Sequence, residues 1–433
     1  MNWRVHTTKA PIFRKLTTVC TTALATCLAN GASAQGAPSA PSAPAVAPAQ
    51  SPAATSPDPV TPYVHARYRL ESVDQDGIAE SATASTMRVR VGLRTATWHG
   101  LSALVEGEAI IRLGPEDYND TVNGRAAFPV VADPSDIHLN QAFIRWQPAQ
   151  QLELTGGRQA INLDNQRWVG SVDWRQNDQT LDAVRAAVSP ARNTRIEYIH
   201  SWRVNRVFGP DSPQGVWRDS DIHLLRGSAT LAPVGTITAY GYWLDLPAAP
   251  SLSSRTLGLR LNGQQTVRPG VTFHYTAEFA RQRDHGVNPA SFSHNYLLIE
   301  PGLGIGPVTA RVGFERLSGD GATALQTPLA TLHAFNGWTD RFLSTPANGL
   351  RDLYADVQWR LGPVLTSAPA TLRLQAHDFN ATRTSADYGR EFGAWLIVPV
   401  SRQISASVKM SHYDADAFAT DTTKFWFSVE ARF

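Results

Sequence analysis

Segments of about ten residues, in which apolar side chains alternate with polar, small or charged ones, recur along this chain. In residues 87–94, for example, Met, Val, Val and Leu alternate with Arg88, Arg90, Gly92 and Arg94. The same alternation returns in residues 101–112, 308–315, 353–360, 370–377, 404–410 and 424–433. A period of two is that of a strand with one apolar and one polar face, whereas a helix would distribute such a pattern around its circumference. The folded part has no apolar run of the about eighteen or more residues that a membrane helix requires.

Counting these segments predicts about eighteen strands. They centre near residues 68, 91, 107, 142, 155, 185, 198, 227, 240, 259, 276, 298, 312, 357, 374, 395, 407 and 428. Short connections, such as residues 98–100 and 148–150, alternate along the chain with long polar connections, such as residues 114–135 and 318–351. An even strand number, with short periplasmic turns opposite long external loops, is typical of outer-membrane barrels. We therefore predict an all-β fold, a transmembrane antiparallel β-barrel. The alternative is a soluble β-sandwich, in which nothing would make short and long connections alternate along the chain.

The amino-terminal part predicts export. Residues 1–34 combine a basic start, a short apolar stretch and a small-residue cleavage site, as a signal peptide does. Both cysteines, Cys20 and Cys27, fall in this segment, so the mature chain needs no disulfide. Cleavage before a lipidated Cys27 is the alternative. Residues 35–62, rich in Ala, Pro and Ser, are predicted to form a disordered tether, and residues 63–433 the barrel.

The carboxy-terminal strand ends on Phe433, with Phe425, Phe427 and Val429 on the same face. A final strand that ends on an aromatic residue resembles the signal by which the outer-membrane barrel assembly machinery recognises its clients. That machinery is therefore a predicted partner. An edge strand of a soluble sandwich is the alternative interpretation of this segment.

The energetic cost of charge in lipid predicts which face of each strand points inward. An arginine on the lipid face near the bilayer midplane costs roughly 2–4 kcal/mol, so Arg88 and Arg90 should both line the lumen. The predicted pore-lining, substrate-binding cations are Arg88, Arg90, Arg94, Arg158, Arg167, Arg260, Arg311, Arg373 and Lys409. Arg195 also lies in the predicted inward phase. The predicted pore counter-charges are Glu106, Glu108, Glu197, Glu278, Glu315 and Asp356. Rings of basic side chains select anions, but salt bridges that stiffen the wall are an equally open interpretation.

The connection after residue 159 carries further charged residues. Arg158, just before it, and Arg167 are expected to contact substrate at a constriction, whereas Asp173 and Trp174 are expected to hold the loop folded. The alternative is that Arg167 and Arg175 pair with Asp164, Asp173 or Asp178 and so hold the loop folded. A ring of about eighteen strands is too wide for side chains alone to fill, so we expect an aqueous channel that loops partly plug.

Two blocks of loop residues resemble signatures of the alginate export family of outer-membrane channels. The first block comprises Gly157-Arg158-Gln159, Gln166-Arg167, Gly170, Asp173-Trp174-Arg175-Gln176-Asn177 and Asp182-Ala183-Val184. The second comprises residues 317–321, residues 326–338, Asp340 and Gly349-Leu350-Arg351-Asp352. The resemblance extends over roughly residues 63–433. It implies a monomeric eighteen-stranded barrel in the bacterial outer membrane, in contact with lipid and lipopolysaccharide, whose basic lumen passes a polyuronate.

The predicted function is therefore passage of an anionic polysaccharide or oligosaccharide, similar to alginate, through an arginine-lined pore. A porin for small acidic or other solutes is the alternative, and a barrel enzyme or a structural barrel is a third hypothesis. No catalytic residue, metal site or cofactor is predicted, because His138, His200, His285 and His333 have no triad spacing and the loop carboxylates lack that of a calcium loop. No nucleic-acid partner is expected. The formal net charge of +2 includes cations of the signal peptide, so the mature chain is close to neutral and any basic potential must be local.

Overall fold

A computed structural model describes residues 59–433, which form an antiparallel β-barrel. The strands are β1 (Val60–Gln75), β2 (Ala82–Thr95), β3 (Leu101–Arg112), β4 (Asp136–Ala149), β5 (Leu152–Gln159), β6 (Thr180–Val188), β7 (Thr194–Asn205), β8 (Val216–Trp217), β9 (Asp221–Leu231), β10 (Gly235–Asp245), β11 (Ser254–Arg268), β12 (Val271–Asp284), β13 (Ser293–Ile305), β14 (Val308–Leu317), β15 (Leu350–Pro363), β16 (Pro369–Asn380), β17 (Asp387–Pro399), β18 (Ile404–Ala415) and β19 (Thr422–Arg432). Two 3₁₀ turns, Pro250–Leu252 and Leu332–Ala334, are the helical elements of this part of the chain.

The barrel is closed by its first and last strands. β1 pairs with β2 on one side and with β19 on the other, from His65 opposite Arg432 to Gln75 opposite Thr422. β8 is a two-residue strand that pairs only with the end of β7, which leaves eighteen strands in the wall. Each of the eighteen predicted strand centres lies in one of them, so the predicted fold class is confirmed.

The predicted signal peptide and most of the predicted tether lie outside the described residues. The barrel begins at Val60, so the last three residues of the predicted tether belong to β1. Among residues 59–433, no helix has the length and hydropathy to span a membrane.

The connections differ in length between the two ends of the barrel, as predicted. At the end where β1 begins, the shortest turns have two residues each, namely residues 150–151, 269–270 and 306–307. At the opposite end, residues 113–135, 160–179, 206–220 and 318–349 form long loops. The end with short turns is the periplasmic one, and the long loops begin at the external end.

The two faces of the wall differ in burial as the alternation predicted. Val91, Val105 and Val312 are 55%, 52% and 53% exposed on the outer surface. The neighbouring Arg90 and Arg311 point inward and are only 6% and 8% exposed. An outer surface of apolar side chains matches a lipid environment, and the charged alternate residues turn to the lumen.

Two of the long loops fold into the lumen. Here we name residues 160–179 the first inner loop and residues 318–349 the second inner loop. They join each other where Val169 and Leu329 form a parallel bridge, and the N–H of Gly170 donates to the carbonyl of Leu329 at 2.8 Å. A Cβ atom on Gly170 would lie 2.2 Å from Oγ1 of Thr331, so this crossing requires glycine. Apolar residues of both loops pack with inward residues of the wall in one buried cluster.

Candidate functional site

The first inner loop is held by one carboxylate against three arginines of the wall. Oδ1 of Asp173 lies 3.1 Å from Nη2 of Arg67, 2.9 Å from Nη1 of Arg88 and 3.2 Å from Nη1 of Arg90. Arg88 is fully buried, and Arg67 and Arg90 nearly so. Arg90 also pairs with Glu108 and, at 2.6 Å, with Asp178. We call Asp173 and the three arginines the Asp173 anchor, which fixes the loop against β1 and β2.

A second charged cluster joins the two inner loops to the wall. Nη2 of Arg175, in the first loop, lies 3.0 Å from Oδ2 of Asp340, in the second. Nζ of Lys424 on β19 donates to the same oxygen at 2.9 Å, and Glu71 of β1 lies 3.5 Å from Arg175. All four side chains are buried, so their charges compensate one another out of contact with water.

Arg167, in the first inner loop, contacts both the second inner loop and the wall. Its Nε atom is 2.9 Å from Oε1 of Glu315, and its Nη2 donates to Oδ1 of Asn336 at 3.1 Å. The guanidinium group also faces the rings of Phe335 and Tyr296, 4.9 and 5.8 Å from their centroids. The partner of Arg167 is thus Glu315, one of the predicted pore counter-charges, and none of the loop aspartates considered above. Arg167 is 1% exposed, so a substrate would reach it only if the loops moved.

Lys409 is enclosed by aromatic rings. Its Nζ atom lies 4.0 Å from the ring centroids of Trp174 and Trp338, and 4.9 and 5.2 Å from those of Trp395 and Trp426. Two of these rings belong to the inner loops and two to the wall. Cation–π contacts contribute up to about 2 kcal/mol each when desolvated. The lysine therefore fastens both loops to β17, β18 and β19, in agreement with the expected holding role of Trp174.

A different set of arginines remains partly open to the water of the lumen. Arg145 on β4, Arg185 on β6, Arg195 on β7 and Arg226 on β9 share the inward phase of their strands. Their side chains are 45%, 20%, 37% and 17% exposed. We call these four residues the arginine row. It rises from the periplasmic ends of β4 and β7 to the middle of β9, where Nη2 of Arg226 lies 2.6 Å from Oδ1 of Asp164 in the first inner loop.

The arginine row is only partly neutralised. Its neighbouring carboxylates are Glu153, Glu197 and Asp164, one fewer than the guanidinium groups. Arg195 lies 3.3 Å from Glu153 and 3.6 Å from Glu197, and Arg145 comes no closer to Glu153 than 3.9 Å. A guanidinium group has five N–H donors, so these loose pairs leave donors available to a solute.

The remaining predicted pore residues lie in the inward phase, mostly in ion pairs. Arg260 pairs with Glu278, which also accepts hydrogen bonds from Trp168 and Tyr240, both at 2.6 Å. Asp356 accepts from Nε of Arg373 at 2.5 Å and lies 3.9 Å from Arg311.

Near the periplasmic end, the exposed Arg94 lies over the ring of Tyr63, 5.4 Å from its centroid. The hydroxyl of Tyr63 donates to Glu106 at 2.8 Å. The predicted cations and counter-charges are thus neighbours, and the contribution of any one of them to substrate binding stays a prediction.

Arg158 does not lie where we predicted. It is the partner in register of Ala142, which lies opposite the exposed Val105, and of Asp182 on the other side. This is the outward phase, at the external end of β5, and Nε of Arg158 donates to Oδ1 of Asp182 at 2.6 Å. Gly156 and Gly157 precede it, and since they have no side chain the alternation could not be followed there. At the level of the lipid headgroups an outward arginine costs only about 0–1 kcal/mol.

Sequence reasoning missed three members of the arginine row, Arg145, Arg185 and Arg226. The alternation could have indicated all three, because each lies two residues along its strand from another residue that faces inward. Near Arg226, however, Leu224 and Leu225 are both apolar and obscure the period.

The loop carboxylate Asp320 has a local role in the structure. It accepts hydrogen bonds from the N–H groups of Thr323 and Ala322, at 2.7 and 2.8 Å, which lower its pKa to about 2.

A closed barrel of eighteen antiparallel strands, apolar outside and charged in a lumen that loops restrict, defines an outer-membrane channel of bacteria. The chain belongs to the alginate export family, whose model matches residues 64–286, just over half of its length. No curated protein matches the chain in sequence.

Solved outer-membrane barrels share this fold at low sequence identity. OpdL of Pseudomonas aeruginosa is 15% identical, with a TM-score of 0.64 over 86% of this chain and 98% of its own. OccAB4 of Acinetobacter baumannii is 11% identical, with a TM-score of 0.68 over 88% and 99% of the two chains. OccK2 (OpdF) of P. aeruginosa, solved in complex with glucuronate, is 13% identical, with a TM-score of 0.64 over 86% and 98%.

Proposed function

We propose that this barrel is an anion-selective channel whose substrates carry carboxylated sugar units. The observation that carries the proposal is the arginine row, four inward guanidinium groups on β4, β6, β7 and β9 that stay partly exposed. Guanidinium groups bind carboxylates in two-point geometry, and successive groups along a wall allow a bound anion to move from one to the next. We expect the excess of one guanidinium group over the neighbouring carboxylates to make this part of the lumen attractive to anions.

The form of the substrate has two candidates, each favoured by a different observation. Membership of the alginate export family favours a polyuronate that passes through as a polymer. The buried contacts of the inner loops favour single acidic sugars or short oligomers, because a polymer would require the Asp173 anchor or the Lys409 contacts to open. The glucuronate bound to OccK2 is a solute of the second kind. Both candidates need the same cationic wall.

Electrical recording in planar lipid bilayers tests the proposal. With a KCl gradient across the bilayer, we expect the reversal potential of the purified barrel to shift towards the chloride equilibrium potential. Replacing chloride by glucuronate on one side should leave a measurable glucuronate current. A channel that is cation-selective and carries no glucuronate current contradicts the proposal.

The same recording separates the two candidates. Polyuronate added on the periplasmic side should produce resolved blocking events if the polymer enters the lumen. Glucuronate current without such events indicates a channel for small acidic solutes. A neutral polysaccharide of equal length is the control, because block by it would reflect size rather than charge.

A further inference from the structure

Two histidines and one aspartate lie together on the outer surface of the barrel. His200 of β7 and His223 of β9 are direct partners in the antiparallel register, and Asp221 lies two residues before His223 on the same face. His200 also lies opposite Val184, which is 47% exposed, whereas the adjacent Ile199 and Ile222 are fully buried. The three side chains therefore point outward, His200 from the middle of β7 and Asp221 and His223 from the external end of β9.

The spacing of these groups is close to that of a metal site. Oδ1 of Asp221 lies 3.0 Å from Nε2 of His223 and 3.6 Å from Nδ1 of His200, and one ligand atom from each residue lies within 4.8 Å of the others. Metal–ligand bonds of about 2.0–2.1 Å in a tetrahedron place neighbouring ligand atoms about 3.3 Å apart. The two measured distances lie on either side of that value. The two imidazole rings are stacked, with centroids 4.7 Å apart and planes 26° apart, so at least one ring must rotate to direct both nitrogens at the same ion.

The surroundings of the histidines favour metal binding over a simple hydrogen-bonded cluster. Nδ1 of His200 is buried and has no hydrogen-bond partner among the described residues. Nδ1 of His223 lies 2.7 Å from the hydroxyl of Tyr198, so its Nε2 is the nitrogen left to face Asp221. Histidine ligands of metals are held in this way by a partner of the second ring nitrogen.

From this geometry we infer that His200, Asp221 and His223 form a transition-metal site of the Zn²⁺ class. Two imidazole nitrogens and one carboxylate suit Zn²⁺, whereas Ca²⁺ and Mg²⁺ prefer oxygen ligands throughout. The fourth position faces outward and accepts water. Because the ligands come from β7 and β9, a bound ion links the two strands from which the external loop of residues 206–220 emerges. This site is independent of the channel function proposed above.

Zinc titration of the refolded, chelator-treated barrel without an affinity tag tests the inference. Competition with a chromophoric chelator should show one bound Zn²⁺ per chain, and no binding of Ca²⁺ at the same concentration. His200→Ala and His223→Ala should abolish this binding, and Tyr198→Phe should weaken it by about tenfold. His285→Ala, at a histidine of another external loop, is the matched control and should bind as the unaltered chain does.

The absorption spectrum of the unaltered chain with Co²⁺ tests the site without any substitution, so the result does not depend on whether a variant folds. An intense visible band is expected for tetrahedral Co²⁺ held by nitrogen and oxygen ligands. A weak octahedral spectrum, or a bound Zn²⁺ that survives both histidine substitutions in correctly folded barrels, overturns the inference. Folding of each variant is checked by the heat-modifiable migration of the barrel on a gel.

Discussion

Replacing Asp173 by Asn should release the first inner loop from the wall. The substitution keeps the size of the side chain but removes the charge that Arg67, Arg88 and Arg90 share at 2.9–3.2 Å. Removing one partner of a buried ion pair costs about 3–5 kcal/mol, because the remaining charges stay uncompensated. Since Arg90 keeps Glu108 and Asp178, we expect the lower end of that range, about 3 kcal/mol. That free energy corresponds to a change of about 100-fold in the ratio of docked to released loop.

Single-channel recording provides the assay. Release of the loop widens the lumen, so Asp173→Asn should show frequent openings to a higher conductance than the unaltered chain. The loss of a negative charge should also increase anion selectivity. The change in selectivity should weaken at high salt, because charges that face the lumen water are screened over about 8 Å at 0.15 M ionic strength, whereas the release of the loop depends on buried charges and should persist.

A matched control shows whether the location of the charge matters. Asp211→Asn removes one carboxylate from the exposed external loop 206–220, which contributes nothing to the Asp173 anchor. This variant should behave as the unaltered chain does. If Asp173→Asn left both conductance and open probability unchanged, the anchor would not hold the loop, and the account of a loop-restricted lumen would be refuted.

Two further predictions concern the wall and its assembly. A cysteine at position 195 should react with a water-soluble thiol reagent, because Arg195 faces the lumen. A cysteine at the outward position 196 should be shielded by lipid. The opposite labelling would show that the register of β7 is wrong, because a slip of one residue exchanges the two faces of a strand. Deletion of Phe433 should reduce the yield of heat-modifiable barrel in the outer membrane, because its backbone N–H and carbonyl pair with Val64 at 2.9 and 3.0 Å where the barrel closes. Normal yield from the truncated chain would make Phe433 an ordinary edge residue.

The wall of this barrel could be predicted from the sequence because alternation is a local signal. The alternation within a strand shows which of its residues face inward and which face outward. Arg88, Arg90 and Arg311 could therefore be assigned to the lumen from their immediate neighbours. The signal fails where side chains stop alternating. Gly156 and Gly157 have no side chain that could show the phase ahead of Arg158, which we expected at a lumen constriction because it borders a long loop and which lies on the outer face instead.

The interior of the lumen could not be predicted, because its contacts join residues that are distant in sequence. Arg167 meets Glu315, and Asp173 meets Arg88, through loops whose path no periodicity encodes. The pairing of Asp173 with Arg167 or Arg175 that we considered from the sequence is wrong, because Asp173 meets arginines of β1 and β2 instead. Which arginines stay open to water depends on where the inner loops lie, and the structure was therefore needed to separate the arginine row from the buried anchors.

The arginine row should make the lumen selective for anions. The most direct test is the reversal potential, in a gradient of potassium glucuronate, of a barrel with Arg185, Arg195 and Arg226 all replaced by Gln. The control replaces Arg255, Arg281 and Arg283, which lie in the outward phase of β11 and β12, and so removes the same charge from outside the lumen. We predict that the first variant loses its anion preference and the control keeps it. Equal reversal potentials in the two variants and the unaltered chain would contradict the claim.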